Sequence, residues 1–409
     1  ALDPSLVSSL PALLGLLQPG AASPEWEALD RGRRRQQTLD ALRRLVLRES
    51  EAQPTCLVLE DLHWIDSETH AFLDSLINTM PGARFLLLLN YRPEFQHGWS
   101  SKTYYSQLRV NALGPESAHV VLSALLGDRD DLTPLKRLLV ERTDGNPFFL
   151  EESVRTLVEN GTLAGERGDY GLAQTVHAIE VPSTVQAVLA ARIDRLSAED
   201  KRLVQCASVI GDHVSVALLQ AAADVPLDDV RDGLARLLAG EFLYESRFFP
   251  DPEYVFKHGL TRQVAYNSLL QERRRALHGC IVQYIEDHYP DRLLEHVERL
   301  ADHARRGELW GRAGSYLQQA GAKAFAHSAN REAVVWFEQA LQALRHLPET
   351  AETQAEIIDV HLGLRNALTL LGEHERTLEH LRQAEALAGA GDRARLGRVL
   401  SFEANALLL

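Results

Sequence analysis

The chain has 409 residues, too many for one ordinary domain, and its 45% hydrophobic and 24% charged residues are typical of globular proteins. Its formal net charge of -14 argues against direct nucleic-acid binding. Its three widely spaced cysteines exclude a disulfide framework and favour a reducing cytoplasm. No stretch predicts a targeting signal or a membrane span, because the apolar run Leu6–Leu17 is too short and contains a proline.

The first part of the chain predicts an α/β fold. Two short, continuously apolar runs, Thr55–Leu59 and Arg84–Asn90, flank a segment with helical spacing, Ser67–Thr79. Continuous rather than alternating hydrophobicity predicts parallel strands that are buried on both faces. Strand, helix and strand would form a βαβ unit, although a buried core helix could also give either apolar run.

Residues 181–285 are predicted to form a winged-helix domain. Short helices come first, and two β segments, Phe242–Glu245 and Tyr254–Lys257, follow as a hairpin. This order of helices and hairpin is typical of winged-helix modules.

Residues 286–409 predict an incomplete all-α array of tetratricopeptide-like repeats. Helix pairs carry small residues such as Gly321 and Ala340 where these repeats need close helix contact. One pair cannot bury its own apolar faces, so neighbouring pairs must stack into an extended concave surface. That surface would bind a protein partner or a small inducer. The alternative is a helical bundle without repeats.

Polar residues follow both predicted strands. Glu60 and Asp61 come directly after the first strand, and Arg92 follows the second. Ligands of open α/β sheets bind at the carboxyl ends of the strands, where one carboxylate can hold Mg²⁺ and another can activate water. An arginine there can bind a phosphate. Taken alone, the acids could equally end a strand in a polar turn, and the arginine could lie in a surface turn.

Other conspicuous residues have structural interpretations. Asp66 is expected to cap the following helix, and Trp64 is expected to pack rather than to contact a ligand. The basic runs Arg33–Arg35 and Arg273–Arg275 are interpreted as solvated helix faces. No histidine or cysteine spacing predicts a zinc site.

The segment around Pro147 is a turn that enters a helix. Pro147 could offer a rigid apolar face to a purine, and Gly145 would allow a ligand to approach the backbone closely. The same residues could equally be a helix stop followed by a helix start.

Taken together, these segments resemble the STAND signal-transduction ATPases of the AAA-like P-loop class. The resemblance covers nearly the whole chain and rests on five motifs in a fixed order: LVLEDLHWID, NYRPE, GNPFFLEE, VPSTVQAVLAARIDRL and FKHGLTRQVAYNSLL. It extends to bacterial regulators in which this ATPase follows a class III adenylate/guanylate cyclase domain and precedes tetratricopeptide repeats.

The resemblance implies that Glu60 and Asp61 are the Walker B pair. One acid would bind Mg²⁺ and the other would activate water, and a glutamate at the first position leaves open which of them holds the metal. Arg92 is similar to the sensor 1 arginine. These residues would belong to the C-terminal part of a P-loop ATPase core, residues 1–113.

The resemblance also implies a lid and a nucleotide sensor. Residues 114–180 would form a helical lid whose GxP motif contains Gly145 and Pro147, with the proline at the adenine of ATP or ADP. His258 would sense the β-phosphate from the winged-helix domain. Its alternative is a histidine packed at the start of a helix.

One motif of this class does not occur in the chain. There is no GxxxxGK[ST] sequence, since none of the five lysines follows a glycine. That loop provides most of the phosphate binding in the class and lies upstream of the Walker B strand. We therefore expect it before Ala1, and we expect this chain alone to bind ATP weakly or not at all.

The predicted function is an ATP-dependent signalling switch, with hydrolysis expected of the longer protein and with a cyclase domain as a candidate partner in cis. Two alternatives remain open. One is a repeat scaffold without catalysis, and the other is an ATP-dependent regulator of the LuxR type, whose DNA-binding domain would lie beyond Leu409. No membrane partner is expected for the chain itself.

Overall fold

The computed structural model describes residues 4–17, 23–173, 182, 184–247, 252–388 and 393–406. The chain divides into two compact units. Residues 1–107, 292–305 and 309–409 form the first unit, and residues 108–291 and 306–308 form the second. Within the described ranges, no helix is both long enough and apolar enough to cross a bilayer.

The first unit begins with helices and a parallel βαβ element. Its helices and strands are α1 (Leu10–Leu17), α2 (Pro24–Glu27), α3 (Arg31–Ala52), β1 (Thr55–Leu59), α4 (Ser67–Thr79) and β2 (Phe85–Leu89). β1 and β2 pair in parallel, with Leu57 opposite Leu87, which confirms the predicted strand–helix–strand order. Asp66 caps α4, since its carboxylate accepts hydrogen bonds from the N–H groups of Glu68 and Thr69.

Among the described residues, only one face of this small sheet is covered. That face packs against Leu73 and Ile77 of α4. The opposite face leaves Val58, Leu86 and Leu88 between 52% and 60% exposed. The prediction that both faces are buried is therefore wrong for the described residues, because no second layer covers the other side of the strands.

The second unit opens with three helices around one apolar core, followed by a short hairpin. These elements are α5 (Pro115–Leu126), α6 (Thr133–Thr143), α7 (Pro147–Glu159), β3 (Leu163–Glu166) and β4 (Asp169–Leu172). Fully buried leucines such as Leu122, Leu139 and Leu150 fill the space between the helices.

The second unit continues with helices and a three-stranded antiparallel sheet. The elements are α8 (Val185–Arg195), α9 (Ala198–Ile210), β5 (Val214–Ser215), α10 (Val216–Ala223), α11 (Leu227–Ala239), β6 (Leu243–Arg247), β7 (Glu253–Phe256), α12 (Gly259–Asn267) and α13 (Gln271–His288). β7 lies between β5 and β6. The two predicted hairpin strands are confirmed as β6 and β7, whereas the winged-helix assignment stays a prediction.

The remaining elements of the chain are helical. They are α14 (Val297–Arg306), α15 (Trp310–Ala326), α16 (Asn330–Leu344), α17 (Ala351–Leu371), α18 (His374–Ala388) and α19 (Arg393–Ala406). Consecutive helices from α15 to α19 pack against each other, as expected of stacked helix pairs. Residues 407–409, the last residues of the predicted repeat array, lie outside the described part of the chain.

Two glycines allow the helix pairs to approach each other around one aromatic ring. A Cβ atom on Gly321 of α15 would lie 2.7 Å from Phe337 of α16, and one on Gly363 of α17 would lie 2.8 Å from the same ring. Phe337 therefore fills the groove between three helices, and each glycine leaves the space that the ring occupies.

Replacing Gly321 by alanine should lower the free energy of unfolding by about 1–3 kcal/mol, because the added methyl group overlaps the Phe337 ring. Gly397→Ala on α19 is the matched control. No atom of the described residues lies within 4 Å of its Cβ position, so alanine there should be neutral or stabilise the helix by about 1 kcal/mol. Urea unfolding followed by circular dichroism measures both changes. Equal stabilities would contradict the packing role of Gly321.

Two histidines meet within the repeats. The Nδ1 atoms of His361 on α17 and His380 on α18 are 3.1 Å apart, and His361 is only 4% exposed. Burial, together with the neighbouring His380 and Arg345, lowers the pKa of His361 to about 4. The folded protein therefore keeps this ring neutral at pH values at which the unfolded chain protonates it.

The free energy of unfolding should consequently fall as the pH is lowered from 7 to 4. The unfolded chain binds a proton at His361 near pH 6.5, whereas the folded chain binds it only near pH 4, and the resulting loss approaches about 3 kcal/mol. Urea titrations at several pH values should show this loss in the wild type and in His374→Gln, an exposed control on α18. The loss should be smaller by about 3 kcal/mol in His361→Gln, which lacks this one group, and identical pH profiles for all three proteins would refute the assignment.

Candidate functional site

The carboxyl ends of β1 and β2 carry a group of polar and aromatic side chains. We call it the strand-tip cluster; it consists of Glu60, Asp61, Trp64, Asn90 and Arg92. The strands are parallel and their last residues are register partners, so the residues that follow them start from the same edge of the sheet. The structure thus brings together the three residues that the sequence predicts for this edge.

Asn90 joins the two strand ends. Its side-chain Oδ1 accepts a hydrogen bond of 2.6 Å from the backbone N–H of Asp61, and its Nδ2 lies 3.5 Å from a carboxylate oxygen of Glu60. Its own N–H donates to the carbonyl of Leu59, and its carbonyl accepts from the N–H of Leu62. One residue therefore fixes the turn that carries both acids.

The two acids remain available to a ligand. Asp61 adopts a left-handed backbone conformation with φ 56°, and its side chain is 61% exposed. Glu60 is exposed as well. Among the described residues, no group of three or more histidines, cysteines or acids could hold a metal ion by itself. Magnesium is often held by one or two carboxylates and completed by phosphate oxygens, and this donor set fits that pattern.

Trp64, which was expected to pack rather than to contact a ligand, is 72% exposed and lies outside the core. The ring of His63 lies against it, with centroids 4.7 Å apart, and the guanidinium carbon of Arg92 stands 5.8 Å from the centre of its ring. Both ring nitrogens of His63 are buried without a hydrogen-bond partner among the described residues. The indole therefore serves as a platform for the arginine rather than as a core residue.

A hydrogen-bonded aromatic network holds the backbone next to Arg92. His97 accepts a hydrogen bond at Nδ1 from the N–H of Trp99, so its Nε2 carries the proton and donates to the hydroxyl of Tyr91 at 2.9 Å. The Tyr91 hydroxyl is also 2.7 Å from that of Tyr105. Burial lowers the pKa of His97, which favours the neutral ring that this arrangement needs.

The remaining predicted site residues belong to the second unit. Pro147 is the first residue of α7, which is capped by the side chain of Asn146. His258 directly precedes α12. Phe148 connects the two, because its ring centroid lies 4.0 Å from that of the His258 imidazole. We call Gly145, Pro147, Phe148 and His258 the lid cluster.

Gly145 has a structural explanation. Its φ is +69°, and a Cβ atom there would lie 2.1 Å from the carbonyl oxygen of Leu113. Its own carbonyl accepts a hydrogen bond from the N–H of Leu113 at 2.9 Å. Close approach of these two backbone segments requires a glycine with or without a ligand, so its predicted contact with a nucleotide stays a prediction.

His258 is held by packing rather than by capping. Its side chain does not cap α12, and its ring nitrogens have no hydrogen-bond partner among the residues that the structure describes. Burial lowers the pKa of the imidazole, although the nearby Glu152 opposes this shift. At neutral pH the ring is therefore uncharged and can still accept or donate a hydrogen bond.

Two residues of these clusters were not identified from the sequence. The sequence contained a signal for Asn90, because this residue follows β2 at the position where Glu60 follows β1. It contained no signal for Phe148, because the contact with His258 joins residues that are far apart along the chain. The strand-tip cluster lies in the first unit and the lid cluster lies in the second.

Comparisons with known proteins give limited information. No protein-family model matches the chain. It is 24% identical over 363 residues to an uncharacterized protein of Rhizobium meliloti (strain 1021), a match that covers 86% of this chain and 34% of that protein. The chain thus spans about a third of the length of this relative.

Among solved structures, the chain is similar to a signal transduction ATPase with numerous domains (STAND) that carries a tetratricopeptide repeat sensor, from Pyrococcus horikoshii. The identity is 11% and the TM-score is 0.44, over 98% of this chain and 72% of that one. Similarity at this level does not assign a function to the chain.

The contact between Arg92 and Trp64 can be measured by fluorescence quenching. The guanidinium should attract iodide to the exposed indole, so Arg92→Gln should reduce iodide quenching of Trp64 by roughly two- to three-fold at low ionic strength. Quenching by neutral acrylamide should stay unchanged. Because the chain has five tryptophans, the emission of Trp64 is obtained by subtracting the spectrum of Trp64→Phe from that of the protein that contains Trp64. Arg109→Gln is the control, and an equal effect of both arginine variants would show that Arg92 does not lie over the indole.

Proposed function

We propose that this protein is a nucleotide-dependent signalling switch that binds Mg·ATP, with magnesium and the γ-phosphate at the strand-tip cluster. One observation carries the proposal. The acids Glu60 and Asp61 lie about thirty residues before Arg92 in sequence. All three residues follow strands that end at one edge of a parallel sheet, and Asn90 links the two strand ends. Exposed acids beside an arginine at the carboxyl ends of parallel strands form the arrangement that such sites use for phosphate and metal.

The chemistry assigned to each side chain follows from its atoms. One carboxylate of the Glu60–Asp61 pair would bind Mg²⁺, and the other would accept a proton from the attacking water. Arg92 would leave the face of Trp64 to bind the γ-phosphate, where its charge stabilises the charge that develops in the transition state. Bound magnesium would neutralise the phosphate oxygens.

The uncovered face of the sheet supports a larger ATPase core. Val58, Leu86 and Leu88 are exposed on strands that are parallel, and parallel sheets are normally covered on both faces. A further strand and helix that carry the phosphate-binding loop would cover this face and supply the phosphate contacts that the chain does not contain. Nucleotide affinity is therefore expected only of a polypeptide that includes such a loop.

The lid cluster and the helical repeats complete the proposed switch. The resemblance to STAND ATPases would place Pro147 at the adenine and His258 at the β-phosphate, and the ring contact through Phe148 supports a joint role for them. The stacked helices from α15 to α19 would bind a protein partner or a small inducer. Regulation of a cyclase domain is proposed on the resemblance alone.

A scaffold function without catalysis is the second candidate. The helical repeats favour it, because their packing around Phe337 needs no nucleotide. The exposed acids at the sheet edge favour the switch, since a scaffold has no use for two solvent-accessible carboxylates at the ends of parallel strands.

In a polypeptide that carries the phosphate-binding loop, Asp61→Asn should lower ATP turnover by about 100-fold or more, because the amide cannot accept a proton from the attacking water. The Kd for ATP should change by less than about three-fold, since the amide keeps the side-chain volume and its oxygen. Phosphate release and isothermal titration calorimetry measure the two quantities.

Glu60→Gln is the companion variant, and Glu245→Gln on β6 is the control. If Glu60 holds the metal, Glu60→Gln should raise the magnesium concentration needed for half-maximal turnover. Unchanged turnover of Asp61→Asn would remove this residue from its catalytic role, and the absence of ATP binding by the wild type would favour the scaffold.

A further inference from the structure

Charged side chains tie the strand that ends next to His258 to helix α7. Glu241 lies between α11 and β6, and its carboxylate accepts hydrogen bonds from Arg155 of α7 and from Lys257, which follows β7. Lys257 directly precedes His258 in sequence. A single carboxylate thus connects the helix that begins at Pro147 with the residue before the imidazole.

The backbone at Glu241 is held in an uncommon conformation. Its φ of 56° lies in the left-handed region, which is unfavourable for a residue other than glycine. The hydrogen bond from Lys257, followed by that from Arg155, lowers the pKa of Glu241 to about 2 against the opposing effect of burial, so the carboxylate stays charged at neutral pH.

A second, buried ion-pair group holds α7, α8 and the turn at Gly240 together without Glu241. Arg192 of α8 is 2% exposed and binds Glu152 and Glu159 of α7. It also donates to the carbonyl of Gly240 at 2.9 Å. Breaking a buried pair of this kind is strongly destabilising, so α7 and the turn at Gly240 should stay docked when Glu241 is changed.

We propose that Glu241 is a positioning residue for His258. By binding Lys257 it fixes the chain just before the imidazole and holds that ring against Phe148 at the start of α7. The importance of this contact for phosphate sensing rests on the proposed function, whereas the contact itself does not. Loss of Glu241 takes the carboxylate partner from the Lys257 ammonium next to the ring, whereas Arg155 keeps Glu152 and the Gly240 carbonyl. The backbone hydrogen bond from Lys257 to Phe242 remains, so the change is confined to the side chains around the imidazole.

The position of the His258 ring can be read directly by NMR. In the full chain labelled with ¹³C-histidine, the imidazole resonances of His258 are assigned with His258→Gln. Phe148→Leu gives the resonance positions without the ring current of Phe148, which lies 4.0 Å away in the wild type. Glu241→Gln should move the resonances to those of Phe148→Leu, and Glu245→Gln, the matched control, should leave them in place.

Unmoved His258 resonances in a folded Glu241→Gln protein would overturn the proposal. Folding is checked by circular dichroism and by the thermal midpoint. Should Glu241→Gln fail to fold, Lys257→Gln breaks the same ion pair from the other side and is expected to give the same movement. Glu241→Asp, which keeps the charge, should restore at least part of the wild-type position.

A nucleotide measurement separates this proposal from the proposed function. In a polypeptide with the phosphate-binding loop, Glu241→Gln should weaken ATP binding by about ten-fold, as expected when a contributing side chain is no longer pre-positioned. If the wild type binds no ATP, the proposed function fails while the NMR result still decides the role of Glu241. If ATP binding is unchanged although the ring has moved, His258 has no part in binding.

Discussion

The hydrogen bond from the Asp61 N–H to the Asn90 side chain is the constraint on which the candidate site depends. It joins the first residues beyond two parallel strands and holds Asp61 in a left-handed turn. Strand side chains alternate between faces, so a shift of register by one residue would move Asn90 away from Glu60 and separate the acids from Arg92. The geometry of the cluster is thus set by strand pairing rather than by contacts among the charged groups.

The two clusters are stabilised in different ways. At the strand tips the acids are exposed, and the hydrogen bonds of Asn90 fix the backbone that carries them. In the lid cluster the position of His258 depends on ring packing and on charges at Glu241. Arg192, in the same unit, is buried together with its carboxylate partners, because a buried charge without a partner would be strongly destabilising. The second unit therefore holds its candidate ligand contacts in place before any ligand binds.

Local patterns in the sequence were sufficient for the secondary structure around the site. The apolar runs of β1 and β2, the spacing of α4 and the cap at Asp66 each depend on neighbouring residues, and all were predicted. The exposed face of the sheet could not be predicted, because apolar strands look alike in sequence with or without a covering layer.

Residue roles that depend on tertiary contacts could not be predicted from the sequence either. Trp64 was expected to pack rather than to contact a ligand, and its exposed ring lies under Arg92. Gly145 contacts the backbone of Leu113, a contact that the sequence does not show, and its predicted approach to a nucleotide stays a prediction. Phe148 and His258 meet across more than a hundred residues, and no local pattern reports such a contact.

The most direct measurement of the central claim uses Mn²⁺·ATP as a paramagnetic probe in a polypeptide that includes the phosphate-binding loop. His63 Nδ1 lies 4.0 Å from the Asp61 carboxylate, so metal bound at the strand tips should broaden the His63 imidazole resonances strongly. Mg²⁺·ATP should leave them sharp. Bound Mn²⁺·ATP with sharp His63 resonances would contradict the assignment of these acids to the metal.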